Sequence, residues 1–386
     1  MKLRTVLICL LALAMGACSP DTSTDGGDAA TTRESADTVD GGDASPEAAD
    51  AGDAPAADSA VTGKLVVLSA RDEKFMVPLW DLVREKHPQL ELVVDYGKDA
   101  PYLDRLRAER EAPRADLFLS KGSAAITSAG QDGLLTPLPA SLLDRVPEHV
   151  RGADGTWVGL SKRARIIVAK RDLEDAPSTL TELADPKYKG RLGRTVATNS
   201  SFVGGVTTVL ADAGEEAART WLTGLHANTD GTPHIYPKHT PTVAAVAAGE
   251  ADVALVNHYY FYRNVLGKDY DPALDAAAAQ AKLDAAPIVA IFPKDEQGVA
   301  WNVTGGGVVA GGPNPAAAQA VLDILLSPEG QQAFAWTNRE YPVVDGVPAA
   351  AGVQPADGFT WSSTSLGALA AQQPKAVALI QEVGLK

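Results

Sequence analysis

From Lys64 onward, short apolar runs alternate with stretches whose apolar residues recur every three or four positions. Lys64-Leu65-Val66-Val67-Leu68 reads as a strand. A helix follows, with Phe75, Leu79, Leu82 and Val83 on one face and Pro78 near its first turn. Residues 90–94 form the next apolar run, residues 102–110 the next helix, and residues 115–119 a third strand. This β-α-β-α-β alternation predicts a parallel sheet covered by helices. A second series begins at residues 190–197. It continues with helices near 213–225 and 242–248, which flank a short apolar strand at residues 253–256. Residues 272–283 read as helix or loop, and residues 290–292 and 307–310 as strands. Asn314-Pro315 and Ser327-Pro328-Glu329 each open a helix, the second with a Ser cap and Pro at the first helical position.

Length makes this a two-lobed chain, because the 325 residues from 62 to 386 exceed what one core comfortably holds. The expected lobes are residues 62–160 with 287–335, and residues 161–286 with 336–386. The amino-terminal part reads differently. Lys2 and Arg4 precede an apolar stretch at residues 6–15, too short for a stable membrane anchor, as in a secretory leader over residues 1–18. Met15-Gly16-Ala17-Cys18 resembles a bacterial lipobox, with Met15 in place of the usual Leu. That resemblance implies cleavage before Cys18 and lipidation of its thiol; the plainer alternative is an ordinary leader with an incidental Cys. Cys9 and Cys18 are the two cysteines of the chain, so a cleaved protein has no intramolecular disulfide, no Zn-Cys cluster and no thiol nucleophile in its folded part. Residues 19–61 lack large apolar side chains and read as a disordered acidic linker. Eleven acidic residues and one Arg in that linker account for −10 of the formal −15 charge. The leader contributes +2, which leaves −7 for residues 62–386.

The candidate chemistry lies in Asn257-His258-Tyr259-Tyr260-Phe261-Tyr262, just past the strand at residues 253–256. The carboxyl ends of strands are where open α/β sheets bind ligands. Phenolate oxygen is a hard donor, and two of them converging suit a hard cation such as ferric iron. Aromatic packing at a strand end explains the same pair without any ligand. Tyr262 shares a face with Tyr260 if the strand continues, and packing is the expected role there. His234 and His239 flank Pro237 in an expected loop with no carboxylate at a recognised metal-site spacing. No Gly-x-Ser-x-Gly elbow, His-Glu-x-x-His or P-loop is present, which argues against an enzyme. Gly305-Gly306-Gly307 precedes an expected strand and does not open a helix, so it is no dinucleotide fingerprint. The acidic balance disfavours nucleic acid.

Several short motifs keep a shared order. They include Leu68-Ser69-Ala70-Arg71, Ala115-Asp116-Leu117-Phe118-Leu119, and the run from Trp157 through Gly159-Leu160-Ser161-Lys162-Arg163-Ala164-Arg165. Asn199-Ser200-Ser201-Phe202, Ala248-Gly249-Glu250-Ala251-Asp252, Asn257-His258-Tyr259-Tyr260 and Asn338-Arg339-Glu340-Tyr341-Pro342 follow. In that order the chain resembles the ferric-ion-binding members of the bacterial extracellular solute-binding proteins, which serve ATP-driven importers. The resemblance implies an α/β, two-lobed periplasmic-binding-protein (Venus-flytrap) fold with its ligand between the lobes. It implies Fe(3+) as the transported ligand at Tyr259 and Tyr260, with a synergistic carbonate or phosphate at positions matching Ser161, Asn199 and Asn257. Arg163 and Arg165 alternate on one strand face and would balance its charge. The implied partners are an ABC permease and its ATPase. The implied setting is the cell envelope, with a monomer lipid-anchored to a membrane and facing the periplasm or the exterior.

The chain also departs from that pattern. The first-strand Tyr is Leu68 and the usual His is Asp72, which leaves Asp72 or Glu73 as hard carboxylates that either ligate iron or serve the following helix as caps. A further ligand Glu falls near Pro101, and a third Tyr near Ala169. The competing function is therefore the same fold binding chelated iron, or a small phosphorylated or carboxylated organic solute.

Overall fold

Nine strands line up in one continuous sheet, and its topology explains how two lobes arise. The fold is that of a computed structural model, which describes residues 61–386. The expected leader, Cys18 and the acidic stretch up to residue 60 lie outside the described residues. The strands are β1 (Gly63–Ser69), β2 (Leu90–Tyr96), β3 (Leu117–Ser120), β4 (Val158–Lys170), β5 (Leu192–Thr195), β6 (Ile235–Tyr236), β7 (Val253–Asn257), β8 (Ile288–Ile291) and β9 (Trp301–Val308). Their order is β2-β1-β3-β9-β4-β7-β5-β6, with β8 paired to β4 off this path.

The long strand β4 belongs to both lobes. Its first half, Val158 to Ala164, pairs antiparallel with β9. Its second half pairs antiparallel with β7 through Arg165–Ala169 and with β8 through Ile167–Lys170. Parallel pairing is confined to β1 with β2 and β3, and to β5 with β6 and β7. The sheet is thus mixed where a parallel one was expected, because β4 and β9 run against the neighbours they join. Helices cover both sets of strands, as the apolar periodicity required. No described helix is long and apolar enough to cross a membrane.

Packing also moves two segments relative to the expected lobes. Residues 287–300 were grouped with the first lobe, yet Ile288 packs with Ile166, Val168 and Val256, and Val289 and Ile291 pack beside Ile167 and Leu255. The cause is the pairing of β8 with the second half of β4. The carboxyl-terminal helix Leu366–Val383 serves both lobes. Leu366 and Leu369 enter the core built on β1 and β3, and Ala376, Leu379 and Ile380 enter the core built on β5 and β7.

The glycine run Gly305–Gly307 lies inside β9 and not ahead of a strand. A Cβ on Gly305 would stand 2.8 Å from Ile126, and one on Gly306 2.8 Å from Leu322. On Gly307 it would stand 2.8 Å from Leu135 and 3.0 Å from the Thr156 carbonyl oxygen. The run lets helices and a neighbouring backbone close down on the strand. Gly307→Val is expected to lower stability by about 1–3 kcal/mol through overpacking, read as a fall in the urea midpoint at unchanged slope. An unchanged midpoint would mean that the contacts yield without cost.

Candidate functional site

Strand β7 is Val253-Ala254-Leu255-Val256-Asn257, buried throughout. The helix His258–Leu266 begins directly after it. Tyr259 and Tyr260 therefore stand in the first turn of a helix at the carboxyl end of a central strand. Their ring centroids lie 4.4 Å apart with planes tilted by 38°. Tyr262 is on the same helix and does not continue the strand. It is buried, and its phenol oxygen accepts from the Gln354 backbone N–H at 2.9 Å. Burial pushes its phenol up to about 12, a packing role as expected.

A cavity of about 340 Å³ opens beside the pair, between the two lobes. Asp99, Lys121, Ser128 and Asn302 line it from the first lobe. Arg165, Ser201, Gly205, Asn257 and Tyr259 line it from the second, and Arg163 from the shared strand β4. Its volume is at the low end of what small-molecule sites need. Among the described residues no group of three or more His, Cys, Asp or Glu is placed to hold a metal ion. A cation here would depend on phenol oxygens.

Arg165 is 4 % exposed and is the centre of a polar relay. Its Nη1 donates to Asn257 Oδ1 at 3.1 Å. Asn257 Nδ2 donates to Ser201 Oγ at 3.0 Å and to the Tyr259 phenol oxygen at 3.2 Å. Nε and Nη2 of Arg165 have no partner. Burial pushes the guanidinium down to about 9, while the Tyr259 and Tyr260 phenols act in the opposite direction. It remains a cation at neutral pH. A buried cation with two idle donors is costly unless an anion completes it. Space for the guanidinium exists because residue 205 is Gly; a Cβ there would stand 3.3 Å from Arg165 Nε.

Burial, followed by the adjoining Tyr259 phenol, pushes the Tyr260 phenol far above its ordinary value. Asp72, the exposed carboxylate that replaces the expected first-strand His, adds a smaller push in the same direction. Glu73 is exposed as well and acts on Tyr96 instead. The Asp72 side chain makes no capping bond to the turn that follows.

Two residues expected to hold an anion are otherwise engaged. Ser161 is fully buried and its hydroxyl donates to Glu340 Oε2, so it does not line the cavity. Asn199 caps the helix Ser200–Thr229, its Oδ1 accepting from the Ser201 and Phe202 N–H groups at 3.0 and 3.4 Å. Arg163 does line the cavity, although its Nη2 donates to the Lys121 and Val303 carbonyls. The cavity lining thus brings Arg163, Arg165, Asn257 and Tyr259 together, with Tyr260 against Tyr259, and leaves Ser161, Asn199, Asp72 and Glu73 outside it.

Sequence reasoning missed Lys121, Asp99 and Asn302. Lys121 follows β3, and the rule that ligands sit past strand ends would have found it. Asp99 Oδ1 accepts from Ser120 Oγ and the Lys121 N–H, and Asn302 Oδ1 accepts from the Ser123 N–H. Those pairings are long-range and carry no local signature.

Comparisons with known proteins place the chain in a family and a fold. The family model described as bacterial extracellular solute-binding protein matches residues 112–363. "Iron uptake protein A1" of Synechocystis is 34 % identical over 294 residues, covering 75 % of this chain and 79 % of the relative. A Trichodesmium structure (IdiA, FutA) in complex with iron and citrate ligands superposes with a TM-score of 0.70 at 28 % identity, covering 84 % of this chain and 100 % of that one. Iron-bound HitA from Pseudomonas aeruginosa gives a TM-score of 0.71 at 25 % identity, with 83 % and 99 % covered.

Proposed function

We propose, from the premise that this chain belongs to the bacterial extracellular solute-binding proteins, that it captures ferric iron outside the cytoplasm and delivers it to an ATP-driven permease. It is a binding protein and not an enzyme. The observation that supports iron most directly is the pair of phenols, Tyr259 and Tyr260, with rings 4.4 Å apart at the end of β7 beside a buried arginine. Phenols are poor ligands until ionised. A trivalent cation stabilises the phenolate strongly enough to form it at neutral pH, as metals do for bound water. Iron-binding relatives of the same fold, named for iron uptake or crystallised with iron, support the same reading.

In this reading the two phenolates hold the metal, Asn257 fixes the Tyr259 oxygen by its hydrogen bond, and Arg165 with Arg163 favours an anion alongside. Approach of the lobes removes water and strengthens every charge interaction in the cavity. Lipidation at Cys18 would keep the protein at a membrane facing the periplasm or the exterior, with the acidic linker as a spacer and a permease with its ATPase as partners.

A second reading is favoured by the cavity itself. About 340 Å³ lined by Lys121, Arg163 and Arg165 is more room and more positive charge than a bare ion needs. Iron chelated by a polycarboxylate fits both features, and a Trichodesmium relative holds iron with citrate. Purified protein mixed with ferric citrate is expected to show a visible phenolate-to-iron band. Addition of excess free citrate separates the two readings: bare-ion capture loses colour to the chelator, whereas chelate capture keeps it. Colourless protein that binds a phosphate ester tightly would instead indicate an organic solute.

A further inference from the structure

His239 opens the helix His239–Ala247, where sequence reasoning expected a loop. It is 2 % exposed, and neither of its buried ring nitrogens has a hydrogen-bond partner. Its ring lies 4.8 Å from that of Tyr260, tilted by 36°. Burial first, and then the Arg165 and Lys121 charges, disfavour its protonation. The ring thus stands against the Tyr260 member of the tyrosine pair.

His258, the other buried imidazole beside the pair, differs. Its Nδ1 accepts from the Ala164 N–H at 3.1 Å and its Nε2 donates to the Arg339 carbonyl at 2.9 Å. Both of its nitrogens are used, so it braces the helix start and has nothing left to offer a ligand. His239 has everything left. A buried polar group without a partner is unfavourable and rare, and it is explained when a ligand supplies the partner. Neutral imidazole is the commonest protein metal ligand and suits iron. It donates a lone pair without releasing a proton, which is what an electron-rich shell of two phenolates needs to add a donor without adding charge.

We propose that His239 supplies a nitrogen ligand to the cation held by Tyr259 and Tyr260, from the start of a second-lobe helix. The inference rests on the reading of that pair as a ferric site. It also adds a donor where the first strand carries Leu68 and Asp72 in place of the Tyr and His of the family pattern.

The test is pulsed EPR on the full protein loaded with ferric citrate, prepared with natural and with ¹⁵N-labelled histidine. Wild-type protein is expected to show the phenolate band together with a nitrogen coupling that changes on labelling. This measurement needs no variant to fold. His239→Phe and His239→Gln are each expected to keep the band, lose the coupling and bind iron at least ~10-fold more weakly, the lower end of what losing a supporting residue costs a metal site. A band without any histidine coupling in wild type, or a coupling that survives in both variants, overturns the histidine and leaves the tyrosines standing. Absence of the band in wild type sinks the tyrosine reading and this inference with it.

Discussion

The double variant Tyr259→Phe, Tyr260→Phe is expected to abolish the phenolate-to-iron band and to weaken ferric binding by more than ~100-fold. Loss of a single supporting residue already costs a metal site ~10- to 100-fold, and these changes remove two anionic donors. Packing is retained, because both rings remain and Tyr259 is held mainly by burial, 4 % exposed. A normal urea midpoint with no colour therefore isolates the oxygen atoms as the cause. The sign of the pH dependence follows from the same chemistry. Each phenol gives up its proton when it takes the metal, so apparent affinity rises with pH, about tenfold per unit for each proton released. Tyr260 sharpens this, since burial and the neighbouring phenol hold its proton tightly in the metal-free protein. Titrations at several pH values against a fixed chelator read the slope. Affinity independent of pH, or colour retained in the double variant, would remove the tyrosines from the site.

The second large effect is structural and lies in a buried polar cluster beside β4. Glu340 is fully buried, with Arg71 Nη1 at 2.8 Å from its Oε1. Asn338 Nδ2 donates to Oε1 at 2.6 Å and the Ser161 hydroxyl donates to Oε2. Burial by itself would push this carboxyl up. The Arg71 and Arg163 charges, with the Ser161 and Asn338 hydrogen bonds, overcome it and hold the group at about 2 against an ordinary 4.5. Glu340→Ala leaves Arg71, itself 3 % exposed, buried without its counter-charge. Breaking a buried pair from one side costs roughly 3–5 kcal/mol, which should appear as a large drop in the denaturation midpoint. The folded-state value is depressed, so the carboxylate's contribution is complete above about 4.5 and is lost as pH falls towards about 2. The variant should therefore approach the wild type in stability as the medium is acidified. A difference below about 1 kcal/mol at neutral pH would show that Arg71 finds another partner.

This cluster also gives Ser161 its role in the fold. The residue stands in the first half of β4, shortly before the strand passes to the second lobe, and Glu340 ties it to Arg71 just after β1. The neighbouring backbone bridge between Lys162 and Tyr341, with N–H···O distances of 2.8 and 2.9 Å in the two directions, fastens the same stretch. Residues that carried an anion-holding expectation thus divide into those that reach the cavity, Arg163, Arg165 and Asn257, and those that build its frame, Ser161 and Asn199.

What the sequence determined by itself was local and periodic. The apolar runs located most strands and helices, Asn314-Pro315 and Ser327-Pro328 were read correctly as helix starts, the second with its Ser cap accepting from the Gly330 N–H, and the tyrosine pair was placed at a strand end. Motif order further identified the family. Pairing partners were decided by tertiary structure alone. Nothing within a few residues of Ser161 or His239 distinguishes a ligand from a brace or an orphaned ring, because each role is set by groups from elsewhere in the chain: Glu340 for Ser161 and Tyr260 for His239. The sharing of β4 between lobes, and the glycines that β9 needs, likewise depend on which strands and helices come to lie against them. Periodicity is a property of neighbours in sequence; satisfaction of a buried polar group is a property of neighbours in space, and only the folded chain brings those together.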